Sequence, residues 1–168
     1  MASSLSLPEQ FKIVQVAKSQ VADTVTYDVI CCKNAHKVWF VVQLLYVANT
    51  SSTFSLTELT AVGGSSTAVT CAFPVWYDVD VDAATTGAAA TTEIDMMTLI
   101  TSGASHVMNT TGGKSQLCVI EWDPSKHTAG YDCIQITDAG GHNSNYITAL
   151  AIIQERYPQS VPPSSVID

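Results

Sequence analysis

The chain has 168 residues, 46% of them hydrophobic and 13% charged, with 15 acidic side chains against 7 basic ones for a net charge of −8. That length suits one domain with a sizeable core, and that hydrophobic content argues against intrinsic disorder. The acidic balance and the lack of any Lys/Arg cluster argue against attraction to nucleic acid or to an anionic membrane.

An ordinary soluble domain is about a quarter charged. Here Ser, Thr, Gly and Asn supply the polar coat instead, which suits pleated strands and a surface partly covered by partners. The five cysteines, Cys31, Cys32, Cys71, Cys118 and Cys133, are odd in number and contain no CxxC spacing. They fit neither a disulfide framework nor a zinc site, and read as buried, reduced thiols of a chain made in a reducing cytoplasm. The start, residues 1–8, lacks the basic and apolar regions of a signal peptide. The longest apolar run, Val38 to Ala48, is of strand length, too short to span a membrane. The expectation is a soluble protein that is not secreted by the usual route.

In chain order, residues 1–10 read as an N-terminal arm, and 11–157 as a single domain. Phe11 to Lys18 and Ala22 to Ile30 alternate in the manner of strands. After a turn at Lys33-Asn34, His36 to Val47 is dense in β-branched and aromatic residues; it reads as a central strand buried on both faces, with Trp39 in the core. Asn49 to Thr53 reads as a turn. Phe54 to Val62 alternates at first, with Phe54, Leu56 and Glu58 on one face. Gly63 to Ser66 reads as a turn, Thr67 to Phe73 and Pro74 to Val81 as strands, and Asp82 to Thr92 as a surface loop. Glu93 to Ile100 fits a short helix or a strand, Ser105 to Asn109 a brief element, and Thr110 to Gly113 a turn. Gln116 to Ile136 is two strands around a polar connector carrying Pro124 and Gly130. A turn at Gly140 to Asn143 leads into a last strand, Asn145 to Arg156. Residues 158–168 hold Pro158, Pro162 and Pro163, so this tail is expected extended and outside any sheet. Strands at roughly ten-residue spacing predict an all-β protein: an antiparallel β-sandwich, jelly-roll-like, with extended terminal arms.

No constellation rises to a catalytic or metal site. Asp78, Asp80 and Asp82 share a strand face, but the calcium-loop pattern needs Gly and Glu where Ala83 and Ala89 stand. They read as a solvated face. His36, His106, His127 and His142 have no metal-ligand spacing and read as exposed loop residues. Glu121 and Asp123 share a face beside a loop facing solvent. No GxSxG, phosphate loop or dinucleotide fingerprint occurs, and Asn49-Thr50-Ser51 and Asn109-Thr110-Thr111 read as chance glycosylation matches. No cofactor and no enzymatic activity are expected.

Residues 118–145 (CVIEWDPSKHTAGYDCIQITDAGGHNSN) and 151–168 (AIIQERYPQSVPPSSVID) resemble a family of small tailed-bacteriophage structural proteins, the head decoration or cement proteins. FKIV at 11–14, KNAHKVWFVVQ at 33–43, LTELTAV at 56–62 and FPVWYDVD at 73–80 extend the resemblance over most of the chain. It implies a β-sandwich on the outside of a virion, binding the major capsid protein and bridging capsomers, as a homo-oligomer with a trimer favoured. It further implies arms that order on binding, with Leu5, Leu7, Pro8, Tyr157, Pro158, Val161, Pro162, Pro163, Val166 and Ile167 as capsid or protomer contacts. Two rival readings are a tail or neck component and a jelly-roll carbohydrate-binding module displayed on the virion. The second would use Trp76, Tyr77 or Trp122 on its surface.

Overall fold

Period-two alternation becomes strand after strand in the computed structural model, which describes residues 7–48, 50–78, 97–109 and 115–156. A helical turn, α1 (Leu7–Gln10), precedes β1 (Lys12–Val21), β2 (Ile30–Cys31), β3 (Ala35–Leu45), β4 (Ser51–Leu59) and β5 (Ser66–Ala68). Then come β6 (Val75–Asp78), β7 (Thr98–Ile100), β8 (Ser105–Asn109) and β9 (Gln116–Trp122). A 3-10 turn at Pro124–Lys126 separates β9 from β10 (Cys133–Ala139), and β11 (Tyr146–Glu155) follows.

The strands pair antiparallel into a six-stranded sheet, β1-β11-β3-β9-β6-β7, and a five-stranded one built on β2-β10-β4-β5. In the smaller sheet, β5 and β8 share one edge of β4 end to end: β5 pairs with Thr57 to Leu59 and β8 with Ser51 to Ser55. Phe40, Val42 and Leu44 of β3, Ile120 and Trp122 of β9, and Ile147 to Ile153 at alternate positions of β11 line the inner face of the larger sheet. Phe54, Leu56, Met108, Ile134 and Ile136 meet them from the smaller sheet in one continuous core. Two sheets sharing a single apolar layer make a β-sandwich.

A buried amide closes one end. The Asn145 side chain accepts hydrogen bonds from Val47 N–H and Ala48 N–H at 2.9 and 2.7 Å and donates to the Ala48 carbonyl at 2.9 Å. It thereby satisfies the backbone after β3, while Ala22 N–H bonds to its carbonyl at 2.8 Å. Gly141 lies against that junction, where a Cβ would come within 2.0 Å of the Ala22 carbonyl oxygen. A side chain has no room there.

Several expectations change. Residues 22–29 form a turn and irregular chain, and only Ile30–Cys31 pairs as a strand. The alternation of Val25, Tyr27 and Val29 still has an effect, since Tyr27 and Val29 are buried without any ladder. Central β3 is buried deeply on one face alone; Trp39 and Val41 are half-buried on the other, and Gln43 and Leu45 are exposed. Trp39 therefore leaves the core, and Trp122 is the tryptophan inside it. Ser51 to Thr53, expected as a turn, opens β4; Thr67 to Phe73 shortens to β5; and the end of the 93–100 segment is the strand β7. Leu7–Gln10 of the expected extended arm is helical. The loop at 82–92, the turn at 110–113 and the tail at 158–168 lie outside the described residues.

The two faces of β3 predict different costs. Phe40→Ala should destabilise by roughly 3–5 kcal/mol, and Trp39→Ala by roughly half as much, because Trp39 already meets solvent. Urea unfolding of both variants checks the order; equal losses would place Trp39 back in the core.

Candidate functional site

The inward face of β4 carries Ser52, Phe54, Leu56 and Glu58, all buried. A carboxylate on that face must be supplied with hydrogen-bond donors. The segment between β9 and β10 supplies them. His127 Nδ1 and Thr128 N–H both lie 3.0 Å from Glu58 Oε1. The far nitrogen of the same ring, Nε2, is 3.3 Å from the indole N–H of Trp122, the last residue of β9. An indole nitrogen only donates, so Nε2 is the acceptor, and Nδ1 carries the proton it gives to Glu58. The Trp122 and His127 rings also meet edge to face at 5.4 Å.

The segment is shaped to deliver those groups. The Asp123 carboxylate accepts from Ser125 N–H at 2.9 Å, capping the 3-10 turn and holding its own pKa below the usual range. Gly130, at φ +90°, lets the chain turn back toward β10. Beside the cluster is a cleft of about 260 Å³ lined by Thr67, Val69, Cys71, Lys126, Thr128 and Tyr131.

A carboxylate on Nδ1 of a histidine is also how a general base is oriented. In a base, however, Nε2 faces the proton to be taken. Here the Trp122 N–H occupies it, so the arrangement ties β4, the connector and β9 together. Burial lowers the His127 pKa, more than the Glu58 carboxylate raises it. Burial likewise lowers that of His106, whose Nε2 is buried without a hydrogen-bond partner among the described residues and whose ring lies 5.3 Å from Tyr77. His106 and His127 are thus not exposed loop residues. The first is on the inward face of β8, and the second is committed to the sandwich.

Glu121 and Asp123 are also committed separately. Asp123 caps the turn, while Glu121, on the outer face of the larger sheet, accepts from Trp76 Nε1 at 2.6 Å and pairs with the Lys37 ammonium. That ammonium also lies over the Trp39 ring, 5.3 Å from its centroid, and Phe11 meets Trp39 edge to face at 5.8 Å. Of the three aromatic residues that a sugar site would use, Trp122 is buried, Tyr77 is half-buried against His106, and Trp76 alone is exposed. Among the residues expected to touch a capsid or a sister protomer, Leu7 is described and exposed, and Pro8 lies in α1. Leu5, Tyr157, Pro158, Val161, Pro162, Pro163, Val166 and Ile167 lie outside the described residues, as do Asp80 and Asp82. Among the described residues no group of three or more His, Cys, Asp or Glu side chains could hold a metal ion, and no helix is long and apolar enough to cross a membrane.

Sequence reasoning missed the Glu58–His127–Trp122 tie. A signal was present, since Glu58 stands in phase with Phe54 and Leu56 and so had to be buried with them. No protein-family model, curated protein or solved structure matches the chain.

The tie predicts an acid-sensitive fold. A histidine whose pKa is lowered by folding binds its proton more readily when unfolded. Its contribution is therefore complete above the ordinary value of about 6.5 and is lost as pH falls through the lowered one. His106 acts in the same direction, and Asp138, raised by burial, in the opposite one. His127→Gln should reduce the fall in urea midpoint between pH 7.5 and pH 5.5 relative to the native chain. His127→Ala should cost about 2–3 kcal/mol at pH 7.5, because Glu58 and the Trp122 N–H lose a buried partner. A pH profile unchanged by His127→Gln would separate the histidine from the acid sensitivity.

Proposed function

We propose that the chain is a structural protein that seats the outer face of its six-stranded sheet on another protein surface, and that this surface is the exterior of a bacteriophage capsid. The observation that carries the reading is an apolar row across that face. Leu99, Trp76, Val119, Val41 and Leu150 stand side by side on β7, β6, β9, β3 and β11. The next row is Glu121, Trp39, Ile152 and Ile13. Leu99, Trp76, Leu150 and Ile13 are exposed. Glu121 is the one charge within these two rows, and Lys37 and Trp76 already satisfy it.

A face depleted in charge, with aromatic side chains at its centre, has the composition of an interface core. The low charge of the whole chain fits the same role. The capsid as partner follows from the resemblance of the 33–43, 73–80, 118–145 and 151–168 segments to head decoration proteins, which also favours a homo-oligomer, a trimer, bridging capsomers. The described fold begins and ends at one end of this sheet: Lys12 is opposite Ile153, and Glu155 opposite Ala35.

Co-sedimentation with empty capsid shells tests the reading. The native chain should pellet with the shells, and Leu99→Lys/Leu150→Lys, at two exposed positions, should bind at least tenfold more weakly while melting normally. Equal binding by the double variant would remove the sheet face from the contact. Intact particles showing the chain on the tail or neck, and bare shells, would overturn the capsid assignment.

A further inference from the structure

The five-stranded sheet ends in β2, a strand of two residues, and both of its residues pair with β10: Ile30 with Ile134 and Cys31 with Cys133. Two cysteines thus stand directly opposite one another on neighbouring antiparallel strands. The next pair is hydrogen-bonded, with Cys32 N–H donating to the Asp132 carbonyl at 2.7 Å. Antiparallel ladders alternate, so Cys31 and Cys133 occupy a non-hydrogen-bonded pair, where Cα atoms come to about 4.5 Å. That separation falls within the range a disulfide spans. The two thiols are close enough to share a hydrogen bond. Both are free.

We propose that Cys31 and Cys133 are a redox-closable pair whose disulfide fastens the edge strand β2 to β10. Cys32, although adjacent in sequence, is not the partner of Cys31. Successive strand residues point to opposite faces, and Cys32 is buried in the main core with its thiol on the Ile30 carbonyl, 3.7 Å away. Cys31 and Cys133 instead belong to a small cluster with Val29 and Leu59 on the other face of the sheet.

Exposure sets the order of events. Cys31 is half-buried and reachable, whereas Cys133 is buried and its thiol is pushed up to about 11, first by burial and then by Cys31. The Cys31 thiolate, its proton lost to water, attacks one sulfur of a small-molecule disulfide such as oxidised glutathione. One thiolate leaves and takes up a proton, and a mixed disulfide remains on Cys31. Cys133 then loses its proton to water and displaces the second thiolate from the Cys31 sulfur. Two electrons pass from the protein's sulfurs to the oxidant, and one disulfide is exchanged for another. The bond closes a loop of roughly 100 residues, so it restricts the unfolded chain strongly.

The inference stands on the cysteine pair and is independent of the capsid reading. The test uses the full chain carrying Cys71→Ser, which removes an exposed thiol. After incubation with oxidised glutathione, its mass should fall by two hydrogens, and peptide mapping should join Cys31 to Cys133. The melting midpoint should rise by roughly 10 °C and return with dithiothreitol. Adding Cys133→Ser should halt the reaction at a glutathione adduct on Cys31, and adding Cys31→Ser should prevent the two-hydrogen loss. A cross-link between other cysteines, a lasting glutathione adduct on Cys31 with Cys133 free, or a Cys31–Cys133 link that leaves the midpoint unmoved would each overturn the proposal.

Discussion

A carboxylate inside a sandwich is tolerated only if hydrogen-bond donors reach it, and Glu58 places that demand where the two sheets must be joined. Its strand belongs to the smaller sheet, while Trp122, at the far end of the tie, belongs to the larger. Between them stands one imidazole whose two nitrogens do opposite work, donating to Glu58 and accepting from Trp122. Apolar layers slide more readily than hydrogen-bonded ones, because apolar burial has no direction. The tie gives this end of the sandwich a direction. It also explains why the connector from β9 to β10 is an ordered arch with a capped 3-10 turn, since a loose loop could not hold His127 and Thr128 at one oxygen atom.

The larger sheet is unusual in being apolar on both faces. Its inner residues are buried against the smaller sheet, and its outer ones keep the same character without a second layer among the described residues. Exposed apolar side chains scattered singly need no explanation, but a row in register across five strands does. Edge pairing is a separate hazard for such a sheet. β1 is irregular, its register shifting between Gln15 and Ala17 and again before Gln20, and β7 has only three residues. Both edges of this sheet are therefore poor templates for a further strand.

Legibility in the sequence followed from how one-sided each strand is. β9, β10 and β11 alternate cleanly or are bounded by Gly and Pro, and they lie close to where pattern places them. β3 could be found but not oriented, because Val38, Phe40 and Val42 on one face and Trp39 and Val41 on the other satisfy either assignment. Pairing with β9 and β11 decides which face turns inward. Residues 22–29 alternate as well as many strands do, yet they make only isolated backbone bonds, such as Asp28 N–H to the Val16 carbonyl, and join no ladder among the described residues. Alternation reports burial of every second side chain, and Tyr27 and Val29 are buried. A ladder requires a partner as well, and one strand's sequence says nothing about that. His127 was illegible for a related reason. Its neighbours Ser125, Lys126, Thr128 and Gly130 are those of an exposed loop, and only the partner 69 residues away makes it part of the core.

The ladder between β4 and β10 links these features. Glu58 is opposite Ile134, and the next pair is Leu59 and Cys133. Moving β10 by one residue would turn Ile134 and Ile136 out of the core and carry Cys133 into it, away from Cys31. The isoleucines oppose that slip by burial. The arch opposes it independently, because it is anchored to Glu58 at one end and runs directly into β10 at the other. The buried carboxylate, whose desolvation alone would weaken the fold, therefore helps to fix the register of a neighbouring strand. The meeting of the two cysteines on the opposite face of that strand follows from the same register.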